Sequence, residues 1–198
     1  MQRLLRAGRE VFEQRGFHAA RIDDIVRRAK TSHGTFYLYF SNKEDLFKAL
    51  AIDAMSHMQQ LGLELGPITP DPEGRAALRE WMVRYVDVYA AHGTVIRAWT
   101  EGEFIDPDLG RRGQTVLNEL SGVLAERISA ARGMDETVAI NGVVCLAMIE
   151  RFNYLQQSGW VDFGREAAID ALTRAVFEGF FQPDRMNGRR WRSRAVNG

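Results

Sequence analysis

The chain has 198 residues, 45% of them hydrophobic and 26% charged, with 26 Lys/Arg against 26 Asp/Glu. That is enough for one compact helical or mixed unit, or for a small head on a larger core, and it excludes collagen-like, disordered and disulfide-stapled chains. The zero net charge argues at first against a nucleic-acid partner, but it is an average: residues 1–48 carry +4, 49–182 carry −8 and 183–198 carry +4. Such asymmetry suggests that the parts meet different partners.

Helical periodicity dominates and no segment alternates as a strand would, so the chain is predicted to be all-α. A first helix runs to Arg15, with Leu4, Leu5, Val11 and Phe12 on one side, and Gly16 ends it. Short helices follow at about 22–29 and 33–40, separated by a three-residue break. Ser41 and Glu44 have the spacing of a capping box, which opens a long helix reaching about Leu65. Three prolines within residues 67–72 mark a linker. Beyond it helices are expected at about 74–91, 94–104, 107–131, 135–158 and 164–181, punctuated by Gly93, Pro107, Gly133 and Gly159. Residues 183–198, with five arginines, are expected to be a basic disordered tail, either solvated or able to touch nucleic acid or anionic lipid. Cys145, alone in an apolar run, predicts a small buried side chain and no disulfide or cysteine-based zinc site. With no apolar run of 18 residues and no apolar N-terminal stretch, the expectation is a cytoplasmic protein with no membrane partner.

Two short helices joined by about three residues, behind one helix and ahead of a capped long one, form a helix-turn-helix layout. That layout presents its second short helix to a major groove. On this helix Phe36 and Phe40 share one face, toward Phe12, Ile25, Leu46 and Phe47, leaving His33, Gly34 and Tyr37 outward. Gly34 costs roughly 1 kcal/mol against alanine inside a helix. Either a close approach to a groove floor or a tight helix crossing would account for it. Lys43, a cation in the first turn of a helix, opposes the helix dipole unless a phosphate lies beside it or the side chain is simply solvated. Thr35 and Tyr39 carry hydroxyls that reach phosphates or serve packing.

The stretch Leu4-Leu5-Arg6-Ala7 through Phe12, Gly16-Phe17, Asp24-Ile25-Val26, Ala29, Ser32 through Phe40 and Asn42-Lys43-Glu44-Asp45-Leu46 resembles the DNA-binding domain of the TetR family of bacterial transcriptional regulators. The resemblance covers about the first 50 residues. It implies an all-helical homodimer with a three-helix head (1–48), an effector-binding and dimerisation body (49–182), a double-stranded operator and a small-molecule effector. Site residues implied position by position are His33, Gly34 and Tyr37 near the bases and Thr35, Tyr39 and Lys43 near phosphates, with Ser32 also among the DNA-binding positions. Three residues depart from the family pattern. Arg21 stands near the start of the second helix where Thr or Ser is usual, and offers a charged phosphate contact instead of a cap. Lys30 replaces a turn glycine at a cost of roughly 1 kcal/mol if left-handed, and Leu38 can touch only a thymine methyl or a sugar. The chain opens on the first helix, without a preceding basic arm.

One head reads too few base pairs to select a genomic site, so two are needed. The helix at 135–158 is apolar on both sides, and with the last helix it suggests a four-helix interface through Val144, Met148, Leu155, Ile169, Leu172, Val176 and Phe180; a plain core is the alternative. Met58, Trp81, Tyr85, Tyr89, Trp99, Phe104, Met148 and Phe152 suit either a core or the wall of a pocket for a hydrophobic or amphipathic effector. His18, His33, His57 and His92 are scattered without metal-ligand spacing, and no nucleophile–base set or phosphate loop occurs, so no enzyme, cofactor or metal is expected. The remaining rivals are a helical ligand-binding or interaction protein with no DNA role and an enzyme with an unrecognised site.

Overall fold

The computed structural model describes residues 1–102, 105–133 and 137–183, and all regular structure within them is helical. In order these are α1 (Gln2–Ala19), α2 (Ile22–Arg28), α3 (His33–Tyr37), α4 (Lys43–Glu64), α5 (Pro72–Thr100), α6 (Pro107–Arg132), α7 (Val138–Gln157) and α8 (Arg165–Val176). The last runs into a π-helical turn over Phe177–Phe181. From residue 184 on, the expected tail lies outside the described residues, as does Phe104.

The head assembles around Phe12, Ile25, Phe36, Leu46 and Phe47, each at most 1% exposed. Phe47 receives Phe12 and Phe17 edge-on, with ring centroids 5.8 and 5.0 Å away, a favoured aromatic geometry. This core does not stop at residue 48: Leu50, Ala51, Val95, Ala98 and Leu109 belong to the same cluster, so the head is seated on α5 and the start of α6. An ion pair reinforces the seat, Lys48 Nζ lying 2.7 Å from Asp106 Oδ2, while Asp106 also caps α6 by accepting from the Leu109 amide at 2.8 Å. The Lys48 ammonium and the Leu109 amide hold the Asp106 carboxyl below its ordinary value. A carboxylate with a lowered folded-state pKa contributes stability above its unfolded pKa of about 3.9 and loses it as pH falls through the folded value. Asp106→Asn keeps a capping oxygen and removes the charge. It is expected to melt below the parent chain at neutral pH, with the gap closing as the solution is acidified below the carboxylate range.

Local expectations fare differently according to what surrounds them. Gly16 does break α1, at φ 73°. Lys30 is left-handed, at φ 51°, and Arg3 Nη2 pins the turn by donating to the carbonyls of Ala29 (2.7 Å) and Lys30 (3.2 Å). Lys30→Gly should therefore raise stability by up to about 1 kcal/mol in chemical denaturation, and an unchanged midpoint would count against strain at this turn. The cap of α4 is shifted by one residue from the expected box: Asn42 accepts from the Asp45 amide at 2.7 Å and Asp45 reaches back to the Ser41 amide at 3.1 Å. The helix expected at 33–40 closes at Tyr37, and Phe40 beyond it still lies inward beside Phe36, 5.7 Å ring to ring. The helices expected at 74–91 and 94–104 are one, α5, passing through Gly93. A glycine costs about 1 kcal/mol there, and burial of Tyr89, His92, Val95 and Ala98 around it outweighs that.

The body has its own core, including Leu78, Trp81, Tyr85, Tyr89, Leu124, Ile149, Val176 and Phe181. Trp81 donates Nε1–H to the Leu61 carbonyl at 2.8 Å, which fastens α5 to the end of α4. α6 and α7 meet closely at Gly142, where an added Cβ would lie 2.3 Å from the Ser121 carbonyl oxygen. Cys145 is fully buried, and burial pushes its thiol up to about 12.

The interface expected on the last two helices needs correction. Ile169, Leu172 and Val176 are at most 4% exposed within this chain, because they form the inner face of α8, packed on α5. The outer face of α8 instead carries Ala167, Asp170, Ala171, Arg174, Ala175 and Glu178, all exposed. Val144 is 49% exposed, and Met148, Leu155 and Phe180 are half-buried. Although α7 is long and apolar enough by composition to cross a membrane, it packs along α6 and carries Glu150 and Arg151.

Candidate nucleic-acid interface and effector cavity

The sequence of α3 divides it into an anchored side and a free side. Phe36 is fully buried and Phe40 nearly so, whereas Tyr37, Leu38 and Tyr39 are 56%, 79% and 51% exposed. Three large apolar or aromatic side chains in solvent on consecutive positions are costly unless a partner covers them. Ser32 begins the helix by accepting from the Thr35 amide at 3.1 Å, and the two hydroxyls lie 3.1 Å apart. His33 is exposed, with Nε2 2.6 Å from Asp23 Oδ1 on α2. Gly34 settles an alternative left open above. Among the described residues a Cβ there would meet nothing nearer than Ser32 Oγ at 3.7 Å, so no helix crossing among them explains the glycine.

Lys43 has a different task from either of those its sequence position suggested. Its ammonium donates to the carbonyls of Phe17 (2.9 Å), His18 (2.9 Å) and Ala20 (3.2 Å) and lies 4.9 Å from the centre of the Phe17 ring. The carbonyls at the end of α1 lack helical partners, and a lysine from the start of α4 supplies them. The α1–α2 corner, which ends in the exposed Arg21, is thereby fixed against α4.

In the body, α4, α5, α6 and α7 enclose a cavity of about 490 Å³. Its wall includes Met55 and Met58 of α4, Tyr85, Tyr89, Ile96 and Trp99 of α5, Val116, Leu117 and Leu120 of α6, and Val143, Leu146 and Glu150 of α7. Of the expected pocket residues Met58, Tyr85, Tyr89 and Trp99 line it. Trp81, Met148 and Phe152 do not: Trp81 is sealed in the core and the other two pack, half-buried, against that core. Trp99 lies over Gly113, where a Cβ would overlap the indole. Among the described residues the only charged group in the wall is Glu150, whose Oε1 accepts from the Tyr89 hydroxyl at 3.1 Å. Burial first, and then the Glu150 carboxylate, raises the pKa of both Tyr85 and Tyr89, so both phenols stay protonated and able to donate. Glu150 gave no signal in the sequence, being one acid in an apolar helix.

Residues 4–50 match the family described as bacterial regulatory proteins, tetR family. Over that N-terminal segment the chain is similar to the tetR family. It is 45% identical over 56 residues to the uncharacterized HTH-type transcriptional regulator YvdT of Bacillus subtilis, covering 28% of this chain and 29% of that one. It is 37% identical over 91 residues to YdgC of the same organism, covering 43% and 47%. The chain thus spans less than half the length of these curated TetR-type relatives. Its fold is shared more widely. PfmR of Thermus thermophilus, a TetR family regulator, superposes with TM-score 0.70 at 16% identity over 88% of this chain and 97% of its own. FadR of Bacillus subtilis in complex with stearoyl-CoA superposes with TM-score 0.61 at 21% identity over 91% and 97%.

Proposed function

We propose that this protein is a ligand-responsive transcriptional regulator, a repressor that binds a palindromic operator as a homodimer and leaves it when a small molecule fills the cavity. The observation that carries this reading is the surface of α3: an anchored helix with Tyr37, Leu38 and Tyr39 in solvent and an open Gly34 between them and the N-cap. His33, Gly34 and Tyr37 face base edges, Leu38 a thymine methyl or sugar, and Arg21, Thr35 and Tyr39 phosphates, with Ser32 and Lys43 fixing the geometry. The second copy packs on the outer faces of α7 and α8, covering Ile140, Val144, Met148 and Leu155 beside the small residues Ala171 and Ala175. The two α3 helices then stand one duplex turn apart, roughly 34–36 Å. A ligand releases DNA only through its differential affinity for a dimer with wrongly spaced heads. Here α4 links the two sites, since it starts beside α3 and its middle lines the cavity.

The cavity chemistry narrows the effector. One carboxylate, two donating phenols, an indole and two thioethers, with no Lys, Arg or His among the described residues of the wall, favour a neutral or cationic amphipath. The FadR neighbour holds stearoyl-CoA, but the anionic head of such a ligand would find no cation within this wall.

Selection of genomic fragments by the purified protein tests the DNA reading. A palindromic site bound by two chains is expected, and random, fully salt-suppressed recovery contradicts it. A melting-temperature screen of hydrophobic cations against fatty carboxylates tests the effector. Cations should raise the melting temperature and release the fragment, and carboxylates doing both in their place would overturn the charge assignment.

A further inference from the structure

Where the head meets the body, three side chains from two helices converge. Asp53 and His57 lie one turn apart on α4, His92 comes from α5, and their ligand-capable atoms all lie within 4.8 Å of one another. The rings of His57 and His92 are 4.9 Å apart, tilted by 38°. None of the three is used by the α3 surface or lines the effector cavity.

His92 is the unusual member. It is 3% exposed, and its Nδ1 is buried with no hydrogen-bond partner. An unsatisfied buried polar atom costs about 1–3 kcal/mol, so its retention calls for an occupant. His57 is prepared by a backbone contact: its Nδ1 lies 2.8 Å from the Asp53 carbonyl oxygen, which holds the proton on Nδ1 and leaves Nε2 as the free lone pair. Such a backbone bond is how ligating histidines are commonly oriented. Asp53 is likewise oriented from outside, its Oδ2 taking Arg9 Nη2 of α1 at 3.3 Å.

We infer that Asp53, His57 and His92 form a binding site for one divalent late first-row transition-metal ion, joining α4 to α5 where the head is seated. Two imidazoles and a carboxylate suit Zn²⁺, Co²⁺ or Ni²⁺, whereas Mg²⁺ and Ca²⁺ prefer oxygen-only sets. Three protein ligands leave a fourth position for water. Donors around a tetrahedral ion at roughly 2.0–2.1 Å sit on the order of 3.3 Å apart. The site therefore contracts when filled, with the exposed His57 side chain closing on the buried His92. The ion also gives the buried His92 lone pair its missing partner.

The experiment is calorimetric titration of Zn²⁺ into the chelator-treated full chain, with Co²⁺ absorption reporting ligand geometry. One ion per chain at micromolar affinity or tighter is expected, with a tetrahedral Co²⁺ spectrum and no competition by Mg²⁺. His57→Ala, at an exposed position, should fold normally and weaken binding at least tenfold, as should Asp53→Asn. His92→Gln is the third variant, and because it alters a buried position it is not relied on alone. No stoichiometric Zn²⁺ binding overturns the inference, and so does parent-like binding by both His57→Ala and Asp53→Asn, which would locate the ion elsewhere. The site stands apart from the regulatory reading: zinc binding without DNA binding would sink that reading and leave the site, and the converse would do the reverse.

Discussion

Replacing Phe36 by alanine is expected to cost about 3–5 kcal/mol of folding stability, the usual price of emptying a buried phenylalanine site. Phe36 is fully buried, with its ring 5.7 Å from that of Phe40, and shares one core with Phe12, Ile25, Leu46 and Phe47. α3 has only five residues, far too few to be helical alone, so its shape depends on this anchor. Domains of this kind have total stabilities of roughly 5–15 kcal/mol, and the substitution would leave the head partly unfolded. Its neighbour behaves oppositely. Tyr37 is 56% exposed, and Tyr37→Ala should change stability by no more than about 0.5 kcal/mol while removing DNA affinity. Urea unfolding of both variants is the check, and a loss below 1 kcal/mol for Phe36→Ala would mean that α3 is held by something other than this core.

Gly34→Ala is expected to separate binding from folding more sharply still. Among the described residues the added methyl meets only Ser32 Oγ, at 3.7 Å, and alanine is favoured over glycine in a helix by up to about 1 kcal/mol. The variant should therefore melt at or above the parent temperature. On a groove floor the same methyl occupies the space the backbone needs, and affinity for the selected DNA fragment should fall at least tenfold, a change of about 1.4 kcal/mol. Fluorescence anisotropy at fixed salt, beside a thermal melt, measures both. Parent-like affinity would move the contact surface away from Gly34, toward the Tyr37–Tyr39 edge.

What the sequence determined by itself are the features decided within about one helical turn. The break at Gly16 and the division of the segment around α3 into Phe36 and Phe40 inside and Tyr37 outside depend on neighbouring residues, whose spacing is fixed by helix geometry. The same locality made the head and the all-helical class legible. Only the tertiary structure decided the rest. Lys43 meets the carbonyls of Phe17, His18 and Ala20 because α4 crosses the end of α1. Ile169, Leu172 and Val176 look in sequence like any apolar helix face, and packing on α5 turned that face inward. Gly93 does not break α5 because burial on both sides of it exceeds its propensity cost. Glu150 came to line the cavity, and His57 and His92 became neighbours, only when α4, α5 and α7 took their crossing angles. Contacts between residues far apart in the chain depend on how rigid helices pack, and no local periodicity encodes that.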